Sequence, residues 1–150
     1  MERKTTQGNF TIERTFDAPV ARVWPAFADL PAKQKWFHGP DSTEEGHVMD
    51  FREGGRESSH GAFHDGVVHR FEATYYDIVP QQRIVYAYEM YLDDRRISVS
   101  LATLEFTVQG NKTQLVLTET GVFLDGFDKP ELREQGTREL LEALAQSVES

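Results

Sequence analysis

The chain has 150 residues, 39% of them hydrophobic, and 25 acidic against 16 basic side chains give a formal charge of -9. That length supports one domain, 1–150, whose core needs neither disulfide nor metal, and the absence of cysteine removes thiol nucleophiles and cysteine-ligated metal centres. The acid excess argues against a nucleic-acid backbone or an anionic membrane as partner. The opening residues lack the apolar run of a signal peptide, and no stretch approaches the ~20 apolar residues that span a bilayer, so a cytoplasmic protein with a flexible 1–8 segment is expected.

Residues 9–17 alternate Phe10, Ile12 and Phe16 with polar neighbours, which predicts a half-buried strand. Asp17 stands where a helix N-cap belongs, and Pro19 falls in the first turn. Val20, Val23, Trp24 and Phe27 then recur at helical spacing, so a short amphipathic helix follows, with Pro25 inside it. A second short helix is expected over Pro31–Phe37, stopped by His38-Gly39-Pro40. From Glu44 onward the apolar period shortens to two. Strands are predicted at 46–53, 56–63, 67–79, 83–92, 97–109 and 113–121, divided by turn signals at Gly54-Gly55, Asp65-Gly66, Pro80-Gln81, Asp93-Asp94 and Gly110-Asn111. Asp128 and Glu131 form a capping-box variant ahead of Leu132, Leu140, Leu141, Leu144 and Val148, which predicts a long helix over 128–150. One antiparallel sheet with helices to one side is an α+β domain. A curved sheet gripping a long helix leaves room between them for an apolar ligand.

Several stretches resemble one family. Phe16-Asp-Ala-Pro19, Val23-Trp24 and Trp36-Phe37-His-Gly39-Pro40 are similar to the opening of the activator of heat-shock-protein ATPase homologue family, within the START-like, birch-pollen-allergen-like helix-grip superfamily. Asp50-Phe-Arg52-Glu-Gly54-Gly55 resembles its D-x-R-x-G-G turn. Tyr75 to Tyr86 resembles its Y-x-E-I-x-P-x-x-R-L-V-F strand pair, Thr113 to Thr118 its T-x-L-x-L-T strand, and Gly136, Leu140, Leu141 and Leu144 its last helix. The resemblance implies a helix-grip fold of about seven strands around the C-terminal helix, with two short helices after the first strand. It does not fix a reaction, because carriers, cyclases and cochaperone domains share that scaffold. Four positions depart from the pattern: Glu57, Ser59 and Gly61 stand where the family has aromatic or apolar residues, and Thr137 where it has Trp. Bulk has been removed there.

Parity assigns the strand faces. Phe71, Ala73 and Tyr75 point inward, as do Ile84, Tyr86, Tyr88 and Met90, then Ala102, Leu104, Phe106 and Val108, and finally Leu115, Leu117 and Glu119. Glu57 and Ser59 join them if 57, 59 and 61 share that face. The plain reading is that the tyrosines pack their rings and wet their tips. The sharper one is a pocket for a small aromatic or polyketide-like molecule, hydrogen-bonded by Tyr75, Tyr86 and Tyr88 and anchored by Glu57 or Glu119. Trp36, Phe51, Ser59, Phe71 and Met90 would line it, with Leu104, Phe106, Leu117, Thr137 and Leu141. An inward carboxylate in an apolar cleft would have a raised pKa, which makes Glu57 and Glu119 the candidates for acid–base catalysis.

Other chemistries find less support. His60, His64 and His69 surround one hairpin, but a three-residue loop at His64-Asp65-Gly66 pairs position 61 with 69 and sends His60 to the opposite face; no metal and no cofactor are expected. Ser58, Ser59 and His60 alternate faces along a strand, so they form no triad. Gly54-Gly55 precedes no helix and is no phosphate loop. Asp50 and Arg52 share a face, as a structural ion pair or in a cross-strand pair. The expected function is binding of a small hydrophobic molecule. The alternatives are a protein-interaction module of the cochaperone kind, with a protein partner or homodimer, and a cyclase- or aromatase-like enzyme. A large closed pocket lined by Tyr75, Tyr86, Tyr88 and Thr137 would favour binding, and a collapsed core with an exposed apolar patch would favour a protein partner.

Overall fold

The computed structural model describes residues 3–38 and 42–149. Its elements run β1 (Thr5–Phe16), α1 (Val20–Ala28), α2 (Leu30–Lys33), β2 (Ser42–Met49), β3 (Arg56–Phe63), β4 (Val68–Val79), β5 (Arg83–Leu92), β6 (Arg95–Gln109), β7 (Lys112–Leu124) and α3 (Pro130–Glu149). The seven strands form one antiparallel curved sheet in the order β1-β7-β6-β5-β4-β3-β2. β2 to β7 are a meander, and β1 closes the far side against β7. This is the α+β helix-grip architecture that the order of elements implies.

Turn chemistry sets the registers. In the β3–β4 hairpin Phe63 N–H donates to Val67 O at 3.0 Å, which leaves His64, Asp65 and Gly66 as a three-residue loop with Gly66 at φ 86°. Gly61 therefore opposes His69, Ser59 opposes Phe71 and Glu57 opposes Ala73, as the loop length requires. A bulge at Tyr76 reverses the alternation of β4, so that Tyr75 and Ile78 both face the core while Tyr76 is 62% exposed.

The core is continuous. Ile12, Phe16, Val23, Phe27, Leu104, Leu115, Leu117, Leu141, Leu144 and Val148 are buried together, each large side chain contributing ~1.5–3 kcal/mol by leaving water. Trp36 Nε1 donates to Ala26 O at 2.9 Å and its ring meets Phe27 edge-on at 5.0 Å, so the α2 segment is fastened to α1.

Several boundaries move. β1 begins at Thr5, and Thr5 to Gly8 pair with Leu124 to Gly121, which makes part of the 1–8 segment sheet rather than free chain. Pro19, not Asp17, is the N-cap of α1 and gives no side-chain cap. α2 is a four-residue helix capped by Asp29, with Trp36 and Phe37 in the turns beyond it. β2 ends at Met49, because Asp50 to Gly55 fold into a tight turn in which Gly55 N–H reaches Arg52 O at 2.8 Å. That places Phe51 on the turn, its ring against Tyr75 and Trp24. Arg52 and Asp50 do pair there, at 2.8 Å. Val108, inward by parity, lies past the covered part of the sheet and is exposed. No helix among the described residues is long and apolar enough to cross a membrane.

Candidate functional site

The concave face is built in cross-strand rows. One runs His47, Ser59, Phe71, Met90 and Ser98 across β2 to β6. The next runs Glu57, Ala73, Tyr88, Ser100 and Gly121 across β3 to β7. A third holds Tyr75, Tyr86, Ala102 and Glu119 across β4 to β7. Small residues at 73, 100, 102 and 121 give the long side chains space to lie down on the sheet.

Two tyrosine–glutamate pairs result. Tyr75 donates to Glu57 Oε1 and Tyr88 donates to Glu119 Oε1, both as short hydrogen bonds. Each pair has its own cation. Lys33 of α2 meets Glu57 Oε1 at 2.7 Å, with both side chains sealed from solvent, and stands 4.4 Å from the Phe37 ring centre. Arg133 of α3 donates to the Tyr88 hydroxyl at 3.0 Å, Ser98 Oγ at 2.8 Å and Asp128 Oδ2 at 2.9 Å. His47 completes the first cluster, with Nε2 2.6 Å from Glu57 Oε2 and Nδ1 3.0 Å from Glu44 Oε1. Both contacts are hydrogen bonds at once only when both ring nitrogens carry protons, since carboxylates only accept.

The two glutamates differ electrostatically. Burial raises the Glu57 carboxyl, but the Lys33 charge and the bonds from His47, Lys33 and Tyr75 outweigh it and hold the pKa at about 2. The expectation of a raised Glu57 is thereby corrected: three converging donors make it a structural anion, far from the near-neutral pKa that general acid–base catalysis needs. Glu119 is raised by its burial, against the Tyr88 bond and the Arg133 charge. Burial and the adjacent carboxylates push the ionisation of Tyr75, Tyr86 and Tyr88 upward.

Between the two pairs stands Tyr86, directly opposite Tyr75. Its hydroxyl makes no hydrogen bond among the described residues. Tyr86, Met90, Thr137 and Leu140 are half-buried, in contrast to the sealed side chains around them. The reason is where α3 sits. It lies closest to β1 and α1, tied by Arg14 to Glu142 at 2.6 Å and by Arg22 to Val148 O at 3.0 Å. Its first half, where Gly136 has open space beside its Cα, reaches back to the sheet through Arg133.

The enclosed room is small. A cavity of about 20 Å³ lies beneath the α2 segment, lined by Lys33, Trp36, Phe37, Phe51, Tyr75 and Tyr86 among others, enough for about one water. An open groove of about 510 Å³ runs instead between α1 and the end of α3, against Pro19, Arg22, Pro25 and Ser147. Of the residues expected to line a large closed pocket, Tyr75 and Tyr86 border the small cavity, and Tyr88 and Thr137 do not.

The family model described as Activator of Hsp90 ATPase homolog 1-like protein matches residues 17–149. The chain belongs to this family. An uncharacterized protein from Rhizobium leguminosarum is similar at 42% identity, with a TM-score of 0.93 over 99% of each chain. Mll3558 from Rhizobium loti is similar at 42% identity, with a TM-score of 0.87 over 96% of this chain and 99% of its own. CV1439 from Chromobacterium violaceum shares 26% identity, with a TM-score of 0.81 over 95% of this chain and 97% of its own. No curated protein matches.

Within this member of the Activator of Hsp90 ATPase homolog 1-like family, the predicted site residues divide into three groups. Phe71, Tyr75, Tyr86, Tyr88, Met90, Ser59, Glu57 and Glu119 share the concave face; Trp36 and Phe51 line the small cavity below α2. Leu104, Phe106, Leu117 and Leu141 are sealed in the core, and the Thr137 hydroxyl is engaged by Arg133 O of its own helix at 2.8 Å. Lys33 and Arg133 join the site without having been singled out by the sequence pattern; His47, a candidate as a histidine, joins them through Glu57. Two of them had a signal. His47 opposes Ser59 once the hairpin is drawn, and Arg133 lies four residues before Thr137 on the inner stripe of α3.

Proposed function

We propose that this protein binds a small hydrophobic or aromatic molecule on the concave face, between β3–β5 and the first half of α3. The observation that carries this reading is that Tyr86 and Met90 on β5 and Thr137 and Leu140 on α3 are each only half-buried, with the Tyr86 hydroxyl unengaged among the described residues. The cavity beneath α2 has room for about one water, so the ligand rests on that open face. Proteins of this fold family commonly bind hydrophobic ligands, which agrees with the reading.

The test is titration with N-phenylnaphthylamine, an uncharged dye whose emission rises in apolar surroundings. Saturable one-to-one binding is expected. Thr137→Trp, which restores bulk over the half-open face, should abolish it while circular dichroism stays native. Absence of saturable binding, or binding unaffected by Thr137→Trp, would remove the reading.

A second reading, association with a protein such as another copy of the chain, rests on the convex face. Val99 and Leu101 are 42% and 49% exposed, and Val99 stands beside Val122 in register. Sedimentation velocity tests self-association: a dimer that becomes a monomer in V99K/L101K would support it, and a monomeric unaltered protein would count against it.

A further inference from the structure

Building on that binding site, we infer that the concave face selects uncharged or cationic aromatic molecules over anionic ones, and that Glu119 sets this preference.

The charged groups that face the site do not cancel. Lys33 has a carboxylate of its own, Glu57 at 2.7 Å, and Arg133 has Asp128 at 2.9 Å. His47 lies between Glu44 at 3.0 Å and Glu57 at 2.6 Å. Lys33 and Arg133 are therefore each matched. Glu119 is 4% exposed and makes no ion pair among the described residues; its bond comes from the neutral Tyr88 hydroxyl. It is the surplus anion of the face. An arriving carboxylate or sulfonate would meet cations already paired, and would stand near a buried negative charge that Arg133, itself paired with Asp128, offsets only in part.

The Tyr86 phenolate would itself be an anion at this spot, and burial followed by the charge of Glu119 opposes its formation. What remains available to a ligand is neutral hydrogen bonding. Among the described residues the Tyr86 hydroxyl is unengaged, and Ser100, on β6 opposite Tyr88, has a buried hydroxyl without a partner. A phenol or an amine can use both a hydroxyl and the Glu119 carboxylate; an acid can accept from a hydroxyl but meets the Glu119 charge as well.

N-phenylnaphthylamine and anilinonaphthalenesulfonate share one skeleton and differ by the sulfonate, so parallel titrations read the charge alone. The uncharged dye should bind about tenfold tighter or more, and in Glu119→Gln with native circular dichroism that ratio should fall severalfold. Equal affinities in the unaltered protein, or a ratio unchanged by Glu119→Gln, would overturn the selectivity while leaving the binding site standing. Binding of neither dye would overturn both. Should Glu119→Gln fail to fold, calorimetry of the unaltered protein with naphthylmethylammonium and with naphthaleneacetate decides: tighter binding of the cation supports the inference, and equal or tighter binding of the acid overturns it.

Discussion

Lys33 and Glu57 come from separate elements, one on a four-residue helix and the other on β3, and meet at 2.7 Å with their side chains 5% and 0% exposed. A salt bridge in that setting gives up two hydration shells, and its own net stabilisation is small. What it fixes is position: it holds the α2 segment down over the Phe37 and Phe71 rings, whose centres lie 4.4 and 6.0 Å from the ammonium.

Removing one partner should therefore hurt more than removing both. Lys33→Met is expected to destabilise by about 3–5 kcal/mol, because it strands a buried carboxylate. Lys33→Met with Glu57→Leu should recover part of that loss. Urea unfolding of the four proteins in a double-mutant cycle gives the coupling, and a cycle that simply adds would disprove it.

Acid should expose Glu57 as a stabilising group. Its folded pKa of about 2 lies below the ordinary 4.5, so its contribution, of the order of 3 kcal/mol, is present above pH ~5 and lost as the pH falls toward 2. Glu57→Gln should flatten the acid limb of a stability–pH profile measured by denaturant titration.

Glu119 works in the opposite sense. With its folded pKa raised, the stability it contributes is present at low pH and lost as the pH rises through that value. Glu119→Gln should leave stability at neutral pH equal or higher, and it should lessen the decline of stability with rising pH over the range where Glu119 ionises. A loss of stability at neutral pH greater than that of Glu57→Gln would contradict the assignment.

Gly121 is required by Ser100. A Cβ at 121 would fall 2.6 Å from Ser100 Oγ, so Gly121→Ala should cost about 1–3 kcal/mol through overpacking. Adding Ser100→Ala, which removes a hydroxyl that has no partner among the described residues, should restore most of it. Thermal midpoints of the single and double variants read the difference.

Much of this was legible in the chain. Strand parity put Phe71, Tyr75, Tyr86, Tyr88 and Glu119 on one face, and the three-residue loop put Glu57 there too. Lys33 was hidden because a lone lysine in Pro31-Ala-Lys-Gln-Lys35 looks like a solvated charge; only the tertiary placement of α2 over β3 makes it internal. The raised pKa expected at Glu57 failed for the same reason, since periodicity can place a carboxylate indoors without naming the three donors that converge on it. The position of α3 was equally invisible, because its apolar stripe fits a helix lying over β1 as well as one lying across the middle of the sheet.

The hairpin His64-Asp65-Gly66 places the protein under an uncommon constraint. Exposed loops ordinarily absorb insertions and deletions, but here one residue added or removed would shift the pairing of β3 on β4 by a step. Ser58 and His60 would then turn inward, and Glu57 would leave Lys33, Tyr75 and His47 behind. Evolution should therefore be free to change the side chains of this wet tip while holding its length as strictly as it holds the carboxylate at the far end of the strand.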